Sequence, residues 1–468
     1  MPSFADLGLP EPLARATTVL GFDTLTPIQA HSVPVMLAGQ DVIAQATTGS
    51  GKTVAFGLGV LARVRPEDAR VQALVLCPTR ELAEQVSGEL RRLARFIPNV
   101  KLVTLCGGVP VRTQTPSLVP APQIVVGTPG RLLDHLRRDT LDLSGLQVLV
   151  LDEADRMLDM GFLDAIDDVV KAAPRTRQTF LFSATYTDEV RQVSRRFQTK
   201  PAEITVAAHE AAPAVRQVFH EVSPEERLTA LRSLLLAAAG ESALVFCHTR
   251  KDTREVAAAL RADGFAALAL HGELEQRERD EVLLRFAHRS CTILVATDVA
   301  ARGLDIKGLP LVISWELPLD PHIHVHRIGR TGRAGQEGLA LALCAPGERD
   351  RAAAIALPHK QALSWEPLPP LPENRTPPAA PRVTWVVEGG RQDKLRPGDL
   401  LGAFVAEFAL TGDAVGKIDV VKERAYISLA PAFTSELQAK LKAGQGKVKV
   451  KGKLFRMSLL ADPSRGRS

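Results

Sequence analysis

The stretch DVIAQATTGSGKT, residues 41–53, decides the fold of the first part of this chain. Its apolar start, residues 41–44, predicts a buried strand, and the apolar spacing of residues 54–64 predicts a helix soon after it. Gly49 and Gly51 let the backbone bend so that several N–H groups surround a phosphate at a helix N-terminus. Strand, glycine loop and helix in this order indicate a phosphate-binding loop.

The side chains of this loop suit a nucleotide bound with Mg²⁺. Lys52 would reach the β- and γ-phosphates, and the Thr53 hydroxyl would ligate Mg²⁺. The alternative is a glycine turn with an exposed lysine, since Ala46 stands where the commoner loop has its first glycine. We predict that ATP and Mg²⁺ are the cofactors, and that the loop residues binding them are Thr48, Gly49, Ser50, Gly51, Lys52 and Thr53.

Length and composition indicate several globular domains in a reducing compartment. The chain has 468 residues, of which 45% are hydrophobic, and its five cysteines are scattered singly. Without a Cys-x-x-Cys pair, neither a zinc site nor a disulfide framework is expected. The N-terminus lacks a basic region followed by an apolar one, and no segment has the apolar length of a membrane span. We therefore expect a cytoplasmic protein that does not contact membranes.

The positive charge is concentrated near the C-terminus. Residues 382–468 contain 16 Lys and Arg against 9 Asp and Glu, whereas the rest of the chain has 42 against 44. Such a basic region is typical of proteins that bind a polyanion.

A glutamine upstream of the loop is a candidate for recognising adenine. The Gln29 amide donates and accepts hydrogen bonds at once, as the edge of adenine requires, and the ring of Phe22 or Phe4 could stack on the base. The alternative is a surface glutamine beside the turn residue Pro27.

Several predicted strands end in small, polar or basic clusters. Strands at residues 71–76, 102–105 and 124–126 would deliver these clusters to one edge of a parallel sheet, where open α/β folds bind ligands. The alternative is a set of helix caps and loops. We predict that this edge contacts a phosphodiester backbone through Arg80, Gly108, Thr128 and Arg131.

The aliphatic strand at residues 148–151 runs into paired carboxylates. We assign Asp152 to Mg²⁺, directly or through water, and Glu153 to the water that attacks the phosphate. After another apolar run, the hydroxyls of Ser183 and Thr185 are candidates to bond to this acidic cluster. Residues 199–213 lose periodicity and are interpreted as a hinge or linker.

A second α/β unit begins near residue 214 and has no glycine loop after its first buried strand. It instead carries arginines at three-residue spacing, Arg327, Arg330 and Arg333. Arginine forks match phosphate oxygens, so they would complete an ATP site held by another domain. The alternative is a set of surface salt bridges.

Together these segments resemble the DEAD-box RNA helicases. The motifs ATTGSGKT, PTRELA, TPGR, DEAD, SAT, ARGLD and HRIGRTGR occur in this order between residues 46 and 333, after the glutamine segment. The resemblance implies two tandem RecA-like α/β domains that bind ATP and RNA. Leu25 and His248 depart from residues common in the family.

Carried over position by position, the resemblance implies roles for further residues. Arg330 and Arg333 are similar to the family's arginine fingers, and Asp305 to its ribose-side acid. RNA-backbone contacts are implied for Arg80, Gly108, Thr128, Arg131, Arg279 and Thr297.

The last part of the chain predicts a small β-α-β-β-α-β domain that is RRM-like, meaning that it resembles RNA-recognition modules. The proline-rich stretch before it is expected to be an extended tether. Aromatic stacking positions are few, with Tyr426 and Trp385 as candidates, so contact with RNA phosphates and shape is favoured. The predicted contacts are Lys447, Lys449, Lys451, Lys453 and Arg456.

The predicted domains are residues 1–207, 214–360 and 382–460, with a linker at 361–381. Residues 388–402 and 416–419 resemble the C-terminal domain of the DbpA-type bacterial subfamily, which implies a target in 23S rRNA. The function expected from this is local unwinding of rRNA helices on pre-50S particles by a monomeric enzyme. Alternatives are an ATP-gated RNA clamp that does not unwind, a general helicase in mRNA decay, and a basic tail that raises RNA affinity without selectivity.

Overall fold

The computed structural model describes residues 3–46, 49–206, 215–301, 308–332, 338–356, 363–371, 376–408, 412–443 and 446–460. They form two compact units, one up to residue 206 and one from residue 215 onwards. Among these residues, no helix combines the length and the apolar character that a bilayer crossing requires.

The first unit is a parallel sheet in the order β3-β4-β2-β5-β6-β1-β7. Its strands are β1 (Val42–Gln45), β2 (Ala73–Leu76), β3 (Leu102–Leu105), β4 (Ile124–Gly127), β5 (Val148–Asp152), β6 (Gln178–Ser183) and β7 (Ala202–Thr205). Its helices are α1 (Glu11–Val19), α2 (Pro27–Leu37), α3 (Lys52–Leu61), α4 (Arg80–Leu93), α5 (Val111–Gln114), α6 (Pro129–Arg137), α7 (Ala154–Asp159), α8 (Leu163–Lys171) and α9 (Asp188–Phe197).

Helices cover both faces of this sheet, which explains why its strands are continuous apolar runs. In β5, Val148 and Val150 pack into the core on one face, while Leu149 and Leu151 pack into the core on the other. The strand β7 lies in the stretch that the sequence analysis interpreted as a hinge or linker. That interpretation is wrong for residues 202–205, which pair with β1. These residues are only partly buried, so they lack the continuous apolar run that marks most other strands of the sheet.

The second unit contains a similar parallel sheet, in the order β10-β11-β9-β12-β13-β8-β14. Its strands are β8 (Val215–Glu221), β9 (Ala243–Cys247), β10 (Ala267–Leu270), β11 (Ile293–Thr297), β12 (Leu311–Ser314), β13 (Gly338–Cys344) and β14 (Ser364–Trp365). Its helices are α10 (Arg227–Ala237), α11 (Arg250–Ala262), α12 (Gln276–Ala287), α13 (Asp298–Ala301), α14 (Pro321–Ile328) and α15 (Arg349–Ala356).

The same unit ends in an antiparallel sheet, ordered β16-β17-β15-β19-β18, which we call the C-terminal module. It comprises β15 (Val383–Val387), α16 (Pro397–Phe408), β16 (Val415–Val420), β17 (Ala425–Leu429), α17 (Thr434–Ala443), β18 (Lys447–Val450) and β19 (Lys453–Leu459). The expected β-α-β-β-α-β order is confirmed, with β18 as an additional strand. Its Lys-Val-Lys-Val alternation has the period of a strand.

The proline-rich stretch is not the free tether that the sequence predicted. Strand β14 pairs with β8 at the edge of the second parallel sheet, and Leu368 packs against that sheet's core. The Ser233 hydroxyl donates a hydrogen bond to the carbonyl of Pro369. Apolar and paired residues are interspersed among the prolines, and these contacts hold the described part of the stretch on the protein.

Gly390 in the C-terminal module is predicted to have a packing role. A Cβ built on Gly390 would lie 2.4 to 2.6 Å from backbone atoms of Lys422, Val421 and Arg424. Gly390→Ala should therefore destabilise the module by about 1–3 kcal/mol, since backbone atoms cannot easily retreat. Amide hydrogen exchange of residues 383–429 measures this loss.

Gly402→Ala is the matched control, because Gly402 lies within α16 and a Cβ there meets nothing within 4 Å. Exchange in that variant should stay equal or become slower, since alanine favours helix. Equal exchange in the two variants would contradict the packing role of Gly390.

Candidate ATP and RNA site

The phosphate-binding loop has the geometry that the sequence predicted. Gly49 and Gly51 adopt φ angles of 90° and 92°, which residues with a Cβ rarely adopt, and α3 begins at Lys52. The Lys52 ammonium is buried and donates a hydrogen bond of 2.9 Å to the carbonyl of Ala46. Thr48 lies outside the described residues. The loop thus places a lysine and a helix N-terminus where a phosphate would be held.

Gln29 is buried beside this loop. Its Nε2 donates to the Gly51 carbonyl at 3.2 Å, and its Oε1 accepts from the backbone N–H of Thr26 at 2.9 Å. A Cβ on Gly51 would come within 2.4 Å of the Gln29 amide. Gln29 therefore supports the loop, a role that the sequence analysis did not foresee, while its contact with adenine stays a prediction.

The two aromatic candidates near the N-terminus lie together. The rings of Phe4 and Phe22 stack with centroids 5.7 Å apart. Phe4 is buried in the core of the first unit and Phe22 is partly buried against it. Of the two, Phe22 retains more exposed surface for a base.

The acidic cluster follows β5 and is almost completely buried. Asp152 ends the strand, and Glu153 adopts a left-handed backbone with φ 53°, a conformation that non-glycine residues hold only when their surroundings enforce it. Asp152 and Glu153 are 3% and 5% exposed. Burial raises the pKa of Asp152 to about 7, against the opposing effect of the Lys52 charge.

The state of Asp152 fits a role in holding Mg²⁺. Its Oδ1 is buried and has no hydrogen-bond partner among the described residues. A carboxylate oxygen is a preferred Mg²⁺ ligand, and Mg²⁺ usually keeps waters and substrate phosphates as its other ligands. The described parts of the chain hold no group of three or more His, Cys, Asp or Glu side chains placed to bind a metal ion.

Arg156 is a residue of this site that the sequence analysis missed. Its guanidinium is 1% exposed and donates to Glu153 Oε2 at 2.6 Å. The contact pairs a buried carboxylate with a buried guanidinium, so Arg156 orients Glu153 and offsets the cost of burying its charge. The three-residue separation within one helical turn was a signal in the sequence.

The hydroxyl contact predicted for Thr185 is confirmed. Asp155 Oδ2 accepts from the Thr185 hydroxyl at 2.8 Å and from its backbone N–H at 2.9 Å. Ser183 contributes through its Oγ, which accepts from the backbone N–H of Asp155 at 3.4 Å. The ends of β5 and β6 are therefore tied together beside the acidic pair.

The predicted RNA contacts of the first unit meet at one sheet edge. Arg80 follows β2, Gly108 follows β3 and Thr128 follows β4, and these three strands are neighbours. The Arg131 guanidinium lies there too, but it donates to Gln114 Oε1 and to the Val109 carbonyl, both at 2.7 Å. Arg131 thus shapes the loop after Gly108, and its contact with RNA stays a prediction.

In the second unit, Arg279 and Thr297 converge on one turn. Arg279 Nη2 donates to the Ala300 carbonyl at 2.7 Å, and the Thr297 hydroxyl accepts from the Ala300 backbone N–H at 3.3 Å. The two side chains therefore share one turn, while their contacts with RNA stay a prediction.

The arginine series does not act as one set of phosphate ligands. Arg327 is 1% exposed and binds both carboxylate oxygens of Asp298 at 2.7 and 2.8 Å. It also lies over the ring of Phe246, 5.2 Å from its centroid. The expectation that its fork faces a nucleotide is wrong, because these partners already occupy it. Arg330 follows α14 and is buried, while Arg333 and Asp305 lie outside the described residues.

The basic residues of the C-terminal module lie on the β18–β19 hairpin and are exposed. Lys447 faces Arg456 across the two strands, while Lys451 pairs with Asp399 at 2.8 Å. The aromatic candidates are both buried: Trp385 lies in the module's core, and Tyr426 is 6% exposed. Stacking of bases on Trp385 is excluded by its burial in that core. The exposed cations of the hairpin are Lys447, Lys449, Lys451, Lys453 and Arg456.

Family models match all three parts of the chain: "DEAD/DEAH box helicase" at residues 26–193, "Helicase conserved C-terminal domain" at 226–335 and "DbpA RNA binding domain" at 384–459. The chain is 50% identical to the ATP-dependent RNA helicase DbpA of Escherichia coli (strain K12), over 98% of this chain and 100% of that protein. This chain belongs to the DEAD-box ATP-dependent RNA helicases.

Other relatives match the helicase without its C-terminal module. The ATP-dependent RNA helicase CshA of Listeria monocytogenes is 46% identical over 74% of this chain and 67% of that protein. The structure of Saccharomyces cerevisiae Dbp5 bound to RNA and ADP BeF₃ aligns with a TM-score of 0.72 and 31% identity, covering 79% of this chain and 96% of that one. The predicted pair of RecA-like domains is thereby confirmed.

The burial of Asp152 gives a test that does not require activity. Asp152→Asn removes a buried charge, so at pH 8, above the raised pKa, the nucleotide-free helicase should gain about 1–3 kcal/mol of stability. With ATP present, Mg²⁺ should raise the unfolding temperature of the wild type further, since binding to the folded state stabilises it. The variant should lose this additional rise. Thermal unfolding with ATP, with or without Mg²⁺, measures both effects.

The control is Asp164→Asn, an exposed acid at the start of α8. It should unfold like the wild type under every condition. A Mg²⁺-dependent shift in Asp152→Asn as large as that of the wild type would remove Asp152 from the metal site.

Proposed function

We propose that this helicase uses ATP and Mg²⁺ to open short helices of 23S rRNA during assembly of the 50S subunit, with its C-terminal module selecting the RNA. The observation that carries the proposal is the pairing of a complete helicase core with a module matching the DbpA RNA-binding domain at residues 384–459. The full-length similarity to a DbpA protein supports it. We further propose that it acts as a cytoplasmic monomer.

The chemical roles follow from the site. Lys52 and the backbone N–H groups of Gly49 and Gly51 would bind the phosphates, while Thr53 and Asp152 would hold Mg²⁺, which neutralises phosphate charge when bound. Glu153, oriented by Arg156, would accept the proton of the attacking water. Further residues proposed to act on the nucleotide are Phe4, Phe22, Gln29, Thr48, Ser50, Asp305, Arg330 and Arg333.

RNA would bind along both RecA-like domains and on the basic hairpin of the C-terminal module. Most of these contacts are proposed to be with phosphates. Phosphate contacts fix the position of the RNA, whereas its shape and its base edges determine which RNA is selected. The core contacts proposed are Arg80, Gly108, Thr128, Arg131, Arg279 and Thr297. The same site in an RNA clamp would hold ATP without unwinding, and in a general helicase the hairpin would not discriminate between RNAs.

Glu153→Gln tests the chemical step. Glutamine can still accept the Arg156 hydrogen bond but cannot take a proton, so RNA-stimulated ATP turnover should fall by about 10²–10⁴-fold. Binding of ATP and RNA should be unchanged, as measured by fluorescence titration. Glu89→Gln, in a surface ion pair with Arg92, should keep wild-type turnover. Turnover in Glu153→Gln equal to that of this control would reject the assignment.

Lys447→Ala combined with Arg456→Ala tests the role of the hairpin. The double variant should weaken binding to a 23S rRNA fragment and reduce the dependence of log Kd on log salt by about one to two, because each phosphate contact contributes to that slope. Lys440→Ala removes a charge that pairs with Glu436 on α17 and serves as control. If the double variant still prefers 23S rRNA over unrelated RNA as strongly as the control does, selection resides elsewhere.

A further inference from the structure

In the sheet of the C-terminal module, β15 and β17 are buried on both faces, whereas the β18–β19 hairpin keeps its cations exposed. Its strands alternate, so that Trp385 and Ile427 point into the module's own core, while Thr384, Val386 and Tyr426 point to the opposite side. These three residues are only 3%, 5% and 6% exposed. An antiparallel sheet with helices on one side normally leaves its other side to water. Something outside the module therefore covers this face.

The cover is α12 and the turn that follows it, which belong to the second RecA-like domain. Ser290 Oγ and Thr384 Oγ1 are 2.6 Å apart, and Arg285 Nη2 donates to the Leu460 carbonyl at 2.8 Å. Near the edge of the face, Arg424 lies 3.6 Å from Glu281 of α12. Residues in or beside β15, β17 and β19 thus meet the same helical segment.

A further polar contact joins His288 to Asp419. His288 Nε2 lies 2.9 Å from Asp419 Oδ2, and the histidine side chain has no exposed surface. The hydrogen bond from His288 lowers the pKa of Asp419. Burial and the nearby Glu281 raise the pKa of Tyr426. Buried polar groups lose free energy when a partner is withdrawn, so separation of the two surfaces would be costly.

The chain that enters the module is held on the same domain. Besides the pairing of β14 with β8, Pro378 and Pro377 approach Gly240 and Gly264, where added Cβ atoms would lie 3.0 and 3.9 Å from the proline rings. The entry of the chain and the sheet face thus provide two separate attachments.

We infer that this sheet face is a docking surface for the second RecA-like domain rather than a platform for RNA bases, and that the two remain attached throughout the ATP cycle. The occupant is the segment from α12 to Ser290 of the same chain. RNA bound to the exposed hairpin is then carried at a constant position relative to the second RecA-like domain.

An engineered disulfide tests the persistence of docking. In the full-length double variant Ser290→Cys with Thr384→Cys, the new thiols would lie close enough to form a disulfide in the docked state. Treatment with diamide should oxidise most of the protein to an intramolecular disulfide without RNA or ATP. The oxidised protein should keep RNA-stimulated ATP turnover within about twofold of that of the same protein after reduction, because a cross-link between surfaces that stay attached hinders no step of the cycle. A twofold change in rate corresponds to well under about 1.4 kcal/mol.

Each single-cysteine variant is the control for the five native buried cysteines and should form no new disulfide. Failure of the double variant to cross-link would overturn the docked arrangement. Cross-linking that abolishes stimulated turnover, with recovery on reduction, would overturn its persistence through the cycle. Disulfide formation is scored without RNA, so an inactive wild type would count against the proposed function and not against docking.

A second measurement uses the contact between His288 and Asp419. His288→Ala should make amide exchange in residues 384–387 and 425–429 roughly tenfold faster or more, since it removes both a hydrogen bond across the interface and a fully buried side chain. Lys440→Ala, on an exposed pair of the same module, should leave exchange unchanged. Exchange in His288→Ala equal to that of Lys440→Ala would overturn the inference.

Discussion

The functional site depends on the alignment of parallel strands that are buried on both faces. Because every strand of the first sheet runs in the same direction, β1, β5 and β6 end together. The loop at Gly49, the carboxylates after β5 and the hydroxyls after β6 are therefore delivered to one edge. Burial of the strands excludes water from this edge, which raises the pKa of Asp152 and makes the Arg156 contact with Glu153 essential to the charge balance.

The side chains of the site form hydrogen-bonded pairs with one another and do not stand as independent ligands. Asp155 is held by Thr185 from the next strand, Glu153 is held by Arg156, and Lys52 folds back on its own loop. In such a network, neighbouring groups share hydrogen bonds, so a change at one strand end is transmitted to the next. The left-handed backbone at Glu153 is one local cost of this arrangement.

The second unit uses its charges differently. Arg327 binds Asp298 and lies over Phe246, and these contacts hold α14 against its neighbouring elements. Docking of the C-terminal module also relies on polar pairs, among them the fully buried His288 side chain with Asp419. A polar interface of this kind specifies one orientation, because hydrogen bonds require defined geometry, whereas apolar contact alone tolerates sliding.

The sequence by itself determined the features that depend on neighbouring residues. Apolar runs predicted the strands of the parallel sheets, glycines beside Lys52 predicted the phosphate loop, and the order of elements predicted a β-α-β-β-α-β domain near the C-terminus. Only the tertiary structure decided which long-range partners each charge meets. Arg327, Tyr426 and the proline-rich stretch looked free in the sequence but are occupied in the fold. Periodicity reports the face on which a side chain lies, whereas its partner comes from an element that may be more than 100 residues away, as Asp419 is from His288 at a separation of 131.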